Sequence, residues 1–289
     1  MQLDSFSMDA KACAIDLLEV CTRFHIMVEH RCCELSLRNL PPDDAKFDPK
    51  MNMQMYTQAL SGLMGLYEDL RGDMVCENEP EFQGYYVITA ADPEVLSGRL
   101  MQLPASVLAA PRMQRALRVL GAIQSGDFVG FFRELKAADY LTACLMHKHF
   151  DAVRGSALSA INRAFKTPAD APLPLSKLVR MLCLEHEEEA RALVLHFGLQ
   201  LTAAQDGVIL ASTRRELEPT VDAEGNPNTL KLVCSHSIIE AKRAGVRMAA
   251  LMMSPATPPL LRDGGVHYAG FFCHDKPEAG AAGAAGGGW

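Results

Sequence analysis

The sequence predicts a mainly α protein: a superhelical stack of antiparallel helix pairs followed by a C-terminal winged helix with a small β-hairpin. Three observations carry this. Apolar residues recur at helical spacing from Met8 to Phe165. The helices come in pairs roughly 35 to 40 residues apart with short joins, the rhythm of a solenoid without a visible repeat consensus. After a proline-bounded join, Pro168 to Pro174, the pattern changes to strand, helix, helix, hairpin.

Met8 to Arg38 reads as the first helix, with Ala14, Leu17, Leu18, Cys21, Phe24, His25 and Val28 as an apolar stripe. Leu40-Pro41-Pro42-Asp43-Asp44 is an exposed loop. Asp48 caps a second helix with Pro49 in its first turn, ending near Leu70 before Arg71-Gly72-Asp73. Asn78-Glu79-Pro80 starts a third. Its Gly84-Tyr85-Tyr86-Val87-Ile88 has strand propensity, but its neighbours are helical, so helix is expected. Asp92-Pro93-Glu94 and Pro111 open a fourth and a fifth helix.

Asp127 caps a short helix that places Phe128, Phe131, Phe132 and Leu135 on one face. Asp139 caps one long helix to Phe165, through Leu141, Cys144, Leu145, Val153, Ala157 and Ile161. This pair is expected to join the stack to the winged helix. There, Leu173-Pro174-Leu175 is extended, Ser176 caps a helix, and Glu185 to Phe197 forms another that stops at Gly198. Leu199 to Thr202 and Val208 to Ala211 flank Asp206-Gly207 as a hairpin. The expected units are 8–167, a helical repeat region; 168–219, the winged helix; and 220–289, a basic extension with a disordered Gly/Ala-rich tail.

At 289 residues and 49% apolar the chain can bury a substantial core. Its net charge of −7 gives no global pull toward nucleic acid. The nine cysteines are scattered without a Cys-x-x-Cys, which suits a reducing compartment. The N-terminus lacks a basic-then-apolar signal, and no run reaches the ~18 apolar residues of a membrane span, so a soluble intracellular protein without membrane partners is expected.

Cys21 with His25, and His147 with His149, are the tempting ligand pairs. A metal needs several converging ligands, and neither pair has a second half at zinc-like spacing. No phosphate-binding Gly-rich loop and no nucleophile signature stands out, so no enzyme, metal or cofactor is expected. A winged helix suggests DNA, yet Glu187-Glu188-Glu189 open its second helix, where they would face phosphates. Sequence-specific reading of DNA is therefore disfavoured. The basic residues of the module are Lys177 and Arg180 on its first helix, Arg191 on its second, and Arg214 and Arg215 after the wing. They are candidates for RNA-backbone contact. A helical stack ending in a winged helix is also the layout of PCI domains, which dock through their winged helices. Leu173, Val208 and Leu210 are the candidate partner contacts on that reading.

Six segments, in order, carry a resemblance. They are CTRFHI (Cys21 to Ile26), YEDLR (Tyr67 to Arg71), NEPEFQGYYV (Asn78 to Val87), DFVGFFREL (Asp127 to Leu135), YLTACLMHKHFDAVRGSALSAINRAF (Tyr140 to Phe165) and LPLSKLVRML (Leu173 to Leu182). Together they resemble the Sac/GANP family, the relatives of the germinal-centre-associated nuclear protein. The resemblance implies a PCI-type, non-enzymatic scaffold of the nuclear transcription-and-export complex, which couples transcription to messenger-RNA export at nuclear pores. It implies pairing with a second PCI-domain subunit that also holds a small acidic Sem/DSS-type protein. The paired winged helices would bind messenger RNA, with Lys177, Arg180, Arg214 and Arg215 in position to contribute. Larger members bind centrin through a long helix; its counterpart is not expected in the Gly/Ala-rich end, so centrin is not expected as a partner. A short centrosome- or spindle-associated member, or a PCI subunit of a proteasome-lid or translation-initiation assembly, is the alternative, with cytoplasm or centrosome replacing the nucleus.

Overall fold

The computed structural model describes residues 7–33, 47–90, 93–165, 172–202, 207–210, 217–221, 230 and 233–253. Among them the chain is mainly helical, with twelve α-helices and one small sheet. The stack comprises α1 (Met8–Arg31), α2 (Pro49–Asp69), α3 (Glu79–Thr89), α4 (Pro93–Gln102), α5 (Ala105–Ala109), α6 (Pro111–Ser125), α7 (Phe128–Ala137), α8 (Tyr140–His147) and α9 (Phe150–Ala164). Helix α1 packs on α2 and α8, and α3 packs on α6. No helix among the described residues is long and apolar enough to cross a membrane.

The expected caps hold where acids sit at the helix starts. Asp48 accepts from the Lys50 and Met51 amides, Asp127 from Gly130 and Asp139 from Thr142. Each carboxylate satisfies donors that a first turn leaves unpaired and meets the positive end of the helix dipole. The Gly84–Ile88 stretch is helical, as its neighbours required, with Phe82, Tyr85, Val87 and Ile88 buried. The first helix ends at Arg31, and the loop expected at 40–44 lies outside the described residues.

Two readings of the sequence are corrected here. The long helix after Asp139 is two helices. The chain breaks at Lys148-His149, where amides bond three residues back, to Leu145 and Met146. The cause is tertiary: His149 Nε2 donates to the Ile88 carbonyl, 2.9 Å away at the end of α3. Ser176 is not a cap either, because α10 (Leu175–Leu182) already begins after Pro174.

Strand β1 (Leu173–Pro174) precedes α10, α11 (Glu187–His196) and the strands β2 (Gln200–Thr202) and β3 (Gly207–Ile209). The antiparallel sheet has the order β1-β3-β2, with Val208 opposite both Leu173 and Leu201. This is the strand, helix, helix, hairpin connectivity expected of the module. Gly198 takes φ +66 just after α11, the left-handed end foreseen there.

The third unit departs from expectation. Residues 233–253, taken as part of a basic extension, return to the stack. A 3₁₀ turn (Glu240–Arg243) meets α8, and α12 (Met248–Met253) packs on α1. Cys234, Ile239, Leu251 and Met252 are buried. The Gly/Ala-rich tail lies outside the described residues.

The centre of the stack is ionic. Arg23 of α1 is 1% exposed. Its Nε donates to Glu81 at 2.9 Å, its Nη2 to Glu19 and Glu81 at 3.2 Å, and its Nη1 to the Met252 carbonyl at 3.1 Å. Its guanidinium lies 4.8 Å from the Phe82 ring centroid. Tyr67 and Asn78 donate to Glu19, Tyr85 donates to Glu81, and Arg112 pairs with Glu81 at 2.7 Å. Burial pushes the Glu19 carboxyl up; burial also works against the Arg23 charge, but Glu81, with Tyr85 and Glu19, outweighs it and raises the guanidinium pKa. Removing one partner of such a set strands the others in low dielectric. We expect Arg23→Met to cost about 3–5 kcal/mol in urea unfolding. A loss under about 1 kcal/mol would mean the carboxylates find other compensation.

Candidate partner and nucleic-acid interface

The module of α10, α11 and the small sheet meets the stack at Arg154. Arg154 projects from α9 into the turn between α10 and α11. Its Nε donates to the Leu182 carbonyl at 3.2 Å, its Nη2 to the Cys183 carbonyl at 2.6 Å, and its Nη1 to Glu189 at 2.8 Å. Its guanidinium sits 4.6 Å from the Phe150 ring centroid. Cys183 ends α10 at φ +50, a left-handed conformation unusual for a residue with a side chain. The bond from Arg154 to its carbonyl helps fix that turn. The other Glu189 oxygen accepts the Glu185 amide at 2.7 Å. Burial lowers the Arg154 pKa and Glu189 opposes it, with the guanidinium kept charged as arginine is at any working pH.

Glu189 is thus turned inward. Of the three carboxylates at the start of α11, it serves the joint, while Glu188 is exposed. Beside Arg154, Gly155 lets α9 approach the module: a Cβ there would lie 2.7 Å from Phe197 Cζ. Sequence reasoning singled out neither residue. Their signal, Arg-Gly inside a helix of otherwise regular pattern, acquires meaning only once the opposing turn is known.

The expected site residues divide in three. Lys177, Arg180 and Arg191 are exposed, the first two three residues apart on α10, whose Leu175, Leu178 and Leu182 are buried. Arg214 and Arg215 lie outside the described residues. Val208 and Leu210 are 0% and 1% exposed, which places them in the core rather than on a contact surface; Leu173 is half-buried on an edge strand. Leu195 of α11, at 52%, is an exposed large apolar side chain of the module that the sequence reading did not name.

A second tether runs from the module to the returning segment. Glu185 accepts from Ser235 Oγ at 2.8 Å and from the Ser237 amide. That segment then reaches α1 and α8. Glu240 lies 3.1 Å from His30 Nδ1 and accepts from Tyr140 at 2.8 Å. Although burial opposes it, these donors hold its carboxyl down at about 2. Lys242 Nζ caps the Lys136 and Ala138 carbonyls. His147 Nε2 donates to the Val233 carbonyl at 2.9 Å, and burial presses its pKa down to about 3.

His30, Cys234 and Glu240 bring one nitrogen, one sulfur and one oxygen within 4.8 Å of one another. Both His30 ring nitrogens are already engaged, Nδ1 by Glu240 and Nε2 by the Ser235 amide at 3.4 Å. The ligand pairs singled out from sequence do not converge: His25 binds Asn52, while His147 and His149 reach carbonyls on different segments. Burial pushes the thiols of Cys32, Cys76, Cys144 and Cys183 up, which disfavours the nucleophilic thiolate at each.

Comparison with known proteins places this architecture. The sequence profile described as the SAC3/GANP family matches residues 3–203. "Protein xmas" of Drosophila melanogaster is 33% identical over 237 residues, covering 80% of this chain and 10% of that protein. "SAC3 family protein B" of Arabidopsis thaliana is 29% identical over 202 residues, covering 67% and 12%. "SAC3 family protein 1" of Schizosaccharomyces pombe is 30% identical over 217 residues, covering 68% and 20%. The chain therefore spans a fifth or less of the length of these relatives.

Two outcomes are expected. Gly155→Ala should destabilise the protein by about 1–3 kcal/mol in chemical unfolding, with part of the loss recovered by Phe197→Leu. Second, His147 is neutral when folded down to about pH 3, whereas the unfolded chain takes up that proton near 6.5. Its contribution is therefore full above 6.5 and is lost as pH falls toward about 3. His147→Gln, which keeps a donor for Val233, should flatten the stability slope between these values by up to about 1.4 kcal/mol per pH unit. An unchanged slope would show that other groups set it.

Proposed function

We propose that this chain, which belongs to the SAC3/GANP family, is a PCI-type scaffold of nuclear messenger-RNA export. It pairs with a second PCI-domain subunit through its winged-helix module and brings a small acidic Sem/DSS-type protein through that subunit. The observation that carries this reading is the extent of the family match, which covers the stack and the module up to β2 together. The joint at Arg154 supports it physically: a module held at fixed orientation can transmit a docking geometry to the stack. The pairing surface is the solvent side of the module, with Leu195 and the β1 edge at Leu173 as its apolar contacts. Val208 and Leu210 act from beneath by keeping the sheet in place.

RNA is held by its backbone, with Lys177 and Arg180 as phosphate contacts and Arg191, Arg214 and Arg215 extending them. The bulk charge of −7 means that such contact is local and needs the partner to complete the surface. The work is binding, so no catalytic step is assigned.

Two measurements test this. Affinity purification with mass spectrometry should recover a PCI-domain partner and a small acidic subunit; recovery of proteasome-lid or translation-initiation subunits in their place would move the protein to another assembly. In the reconstituted complex, Lys177→Glu with Arg180→Glu should weaken RNA binding across sequences and lower the salt slope by about one per lost phosphate contact. Unchanged affinity and slope would remove these residues from the RNA surface.

A further inference from the structure

Three side chains able to ligate a metal converge where the returning segment meets α1. His30 stands in the last turn of α1, and Cys234 arrives from the segment 204 positions later, with Glu240 behind it. His30 Nδ1 lies 3.1 Å from Glu240 Oε1 and 3.9 Å from Cys234 Sγ. One nitrogen, one sulfur and one oxygen fall within 4.8 Å of one another, and no other group of three His, Cys, Asp or Glu residues is so arranged among the described residues. Tetrahedral zinc, with bonds of about 2.0–2.3 Å, sets neighbouring ligand atoms about 3.3–3.6 Å apart. The two separations from Nδ1 bracket that range, so side-chain shifts of up to about 1 Å close the triangle around an ion.

The surroundings orient this set. The His30 ring meets His147 edge to face, with centroids 4.7 Å apart. Tyr140 donates to Glu240 at 2.8 Å, and Arg243 Nε lies 3.9 Å from the other Glu240 oxygen. Outer contacts of this kind fix the direction of ligands around a metal. His30 and Cys234 are buried, whereas the Glu240 side chain is 15% exposed and gives an ion a way in. Nδ1 is the ring nitrogen that faces Glu240. An ion there takes the place of the proton it shares with that carboxylate, and the neutral ring keeps one proton, now on Nε2. The Ser235 amide contact at Nε2, long at 3.4 Å, opens in exchange, and the Cys234 thiol gives its proton to solvent. Imidazole with thiolate and one carboxylate suits a borderline cation such as zinc, whereas calcium and magnesium take oxygen ligands.

We propose that His30 Nδ1, Cys234 Sγ and a Glu240 carboxylate oxygen bind one zinc ion that fastens the returning segment to the last turn of α1. Water completes the four ligands. The role is structural: the ligands meet only in the folded chain, so the binding energy of the ion adds to the hold on 233–243. A separation of 204 positions between His30 and Cys234 conceals the set from sequence spacing. The proposal is independent of the role given to the winged-helix module.

Metal content, cobalt spectra and hydrogen exchange make the test. Full-length protein purified without a polyhistidine tag from zinc-supplemented culture should carry about one zinc per chain, and Cys234→Ser about a tenth of that or less. Refilled with cobalt(II), the wild-type chain should show a thiolate-to-cobalt charge-transfer band in the near ultraviolet that Cys234→Ser lacks. Glu240→Gln, which keeps an acceptor for Tyr140, should bind cobalt at least about tenfold more weakly. Removing the zinc with a chelator should speed amide exchange across 233–243 about tenfold, with α6 unchanged. A wild-type chain that holds no zinc and gives no cobalt band would overturn the proposal, whatever the variants do. So would a band that persists in folded Cys234→Ser, since the sulfur would then belong to another cysteine. Exchange across 233–243 that ignores the chelator would overturn the fastening role.

Discussion

Everything in the stack is arranged around a guanidinium that cannot be hydrated. Arg23 is sealed among α1, α3 and α12, and its charge is tolerable only because Glu19 and Glu81 arrive at the right distances. Those carboxylates are then fixed by Tyr67, Asn78, Tyr85 and Arg112. Apolar packing tolerates small slips in register, whereas a buried charge set does not. The cluster thus pins the mutual register of four stack helices and of α12, which an all-apolar interface would leave freer.

The joint to the winged-helix module uses the same device on a smaller scale. One arginine satisfies two carbonyls and a carboxylate at the turn between α10 and α11. The turn itself is conformationally costly, since Cys183 is left-handed without being glycine. The stack therefore contributes to the shape of the module as well as to its position. Gly155 completes the fit by removing the side chain that would meet Phe197.

How much of this was legible in the sequence follows from where the causes lie. The caps at Asp48, Asp127 and Asp139 are local, and the sequence shows them. So is the Asp206-Gly207 signal from which the hairpin was read. The break at Lys148-His149 is invisible locally, because the bond that makes it comes from Ile88, sixty-one positions away. The return of 233–253 was missed for a related reason. Its hold is in large part polar, through Glu240, Lys242 and Ser235, and the partners of these groups lie far away along the chain. A stretch with several basic residues looks like an extension until its partners are known. Val208 and Leu210 illustrate the converse: alternation marks a residue as facing one side, but does not say whether that side is core or partner. Arg154 looked like one more helix cation among many.

The returning segment changes what kind of object the stack is. It links three parts of the chain that are far apart in sequence. The segment leaves the turn of the winged-helix module at Glu185, crosses α8 at Tyr140, and ends against α1 at Arg23. The segment thus adds contacts that tie the turn before α11, α8 and α1 to one another.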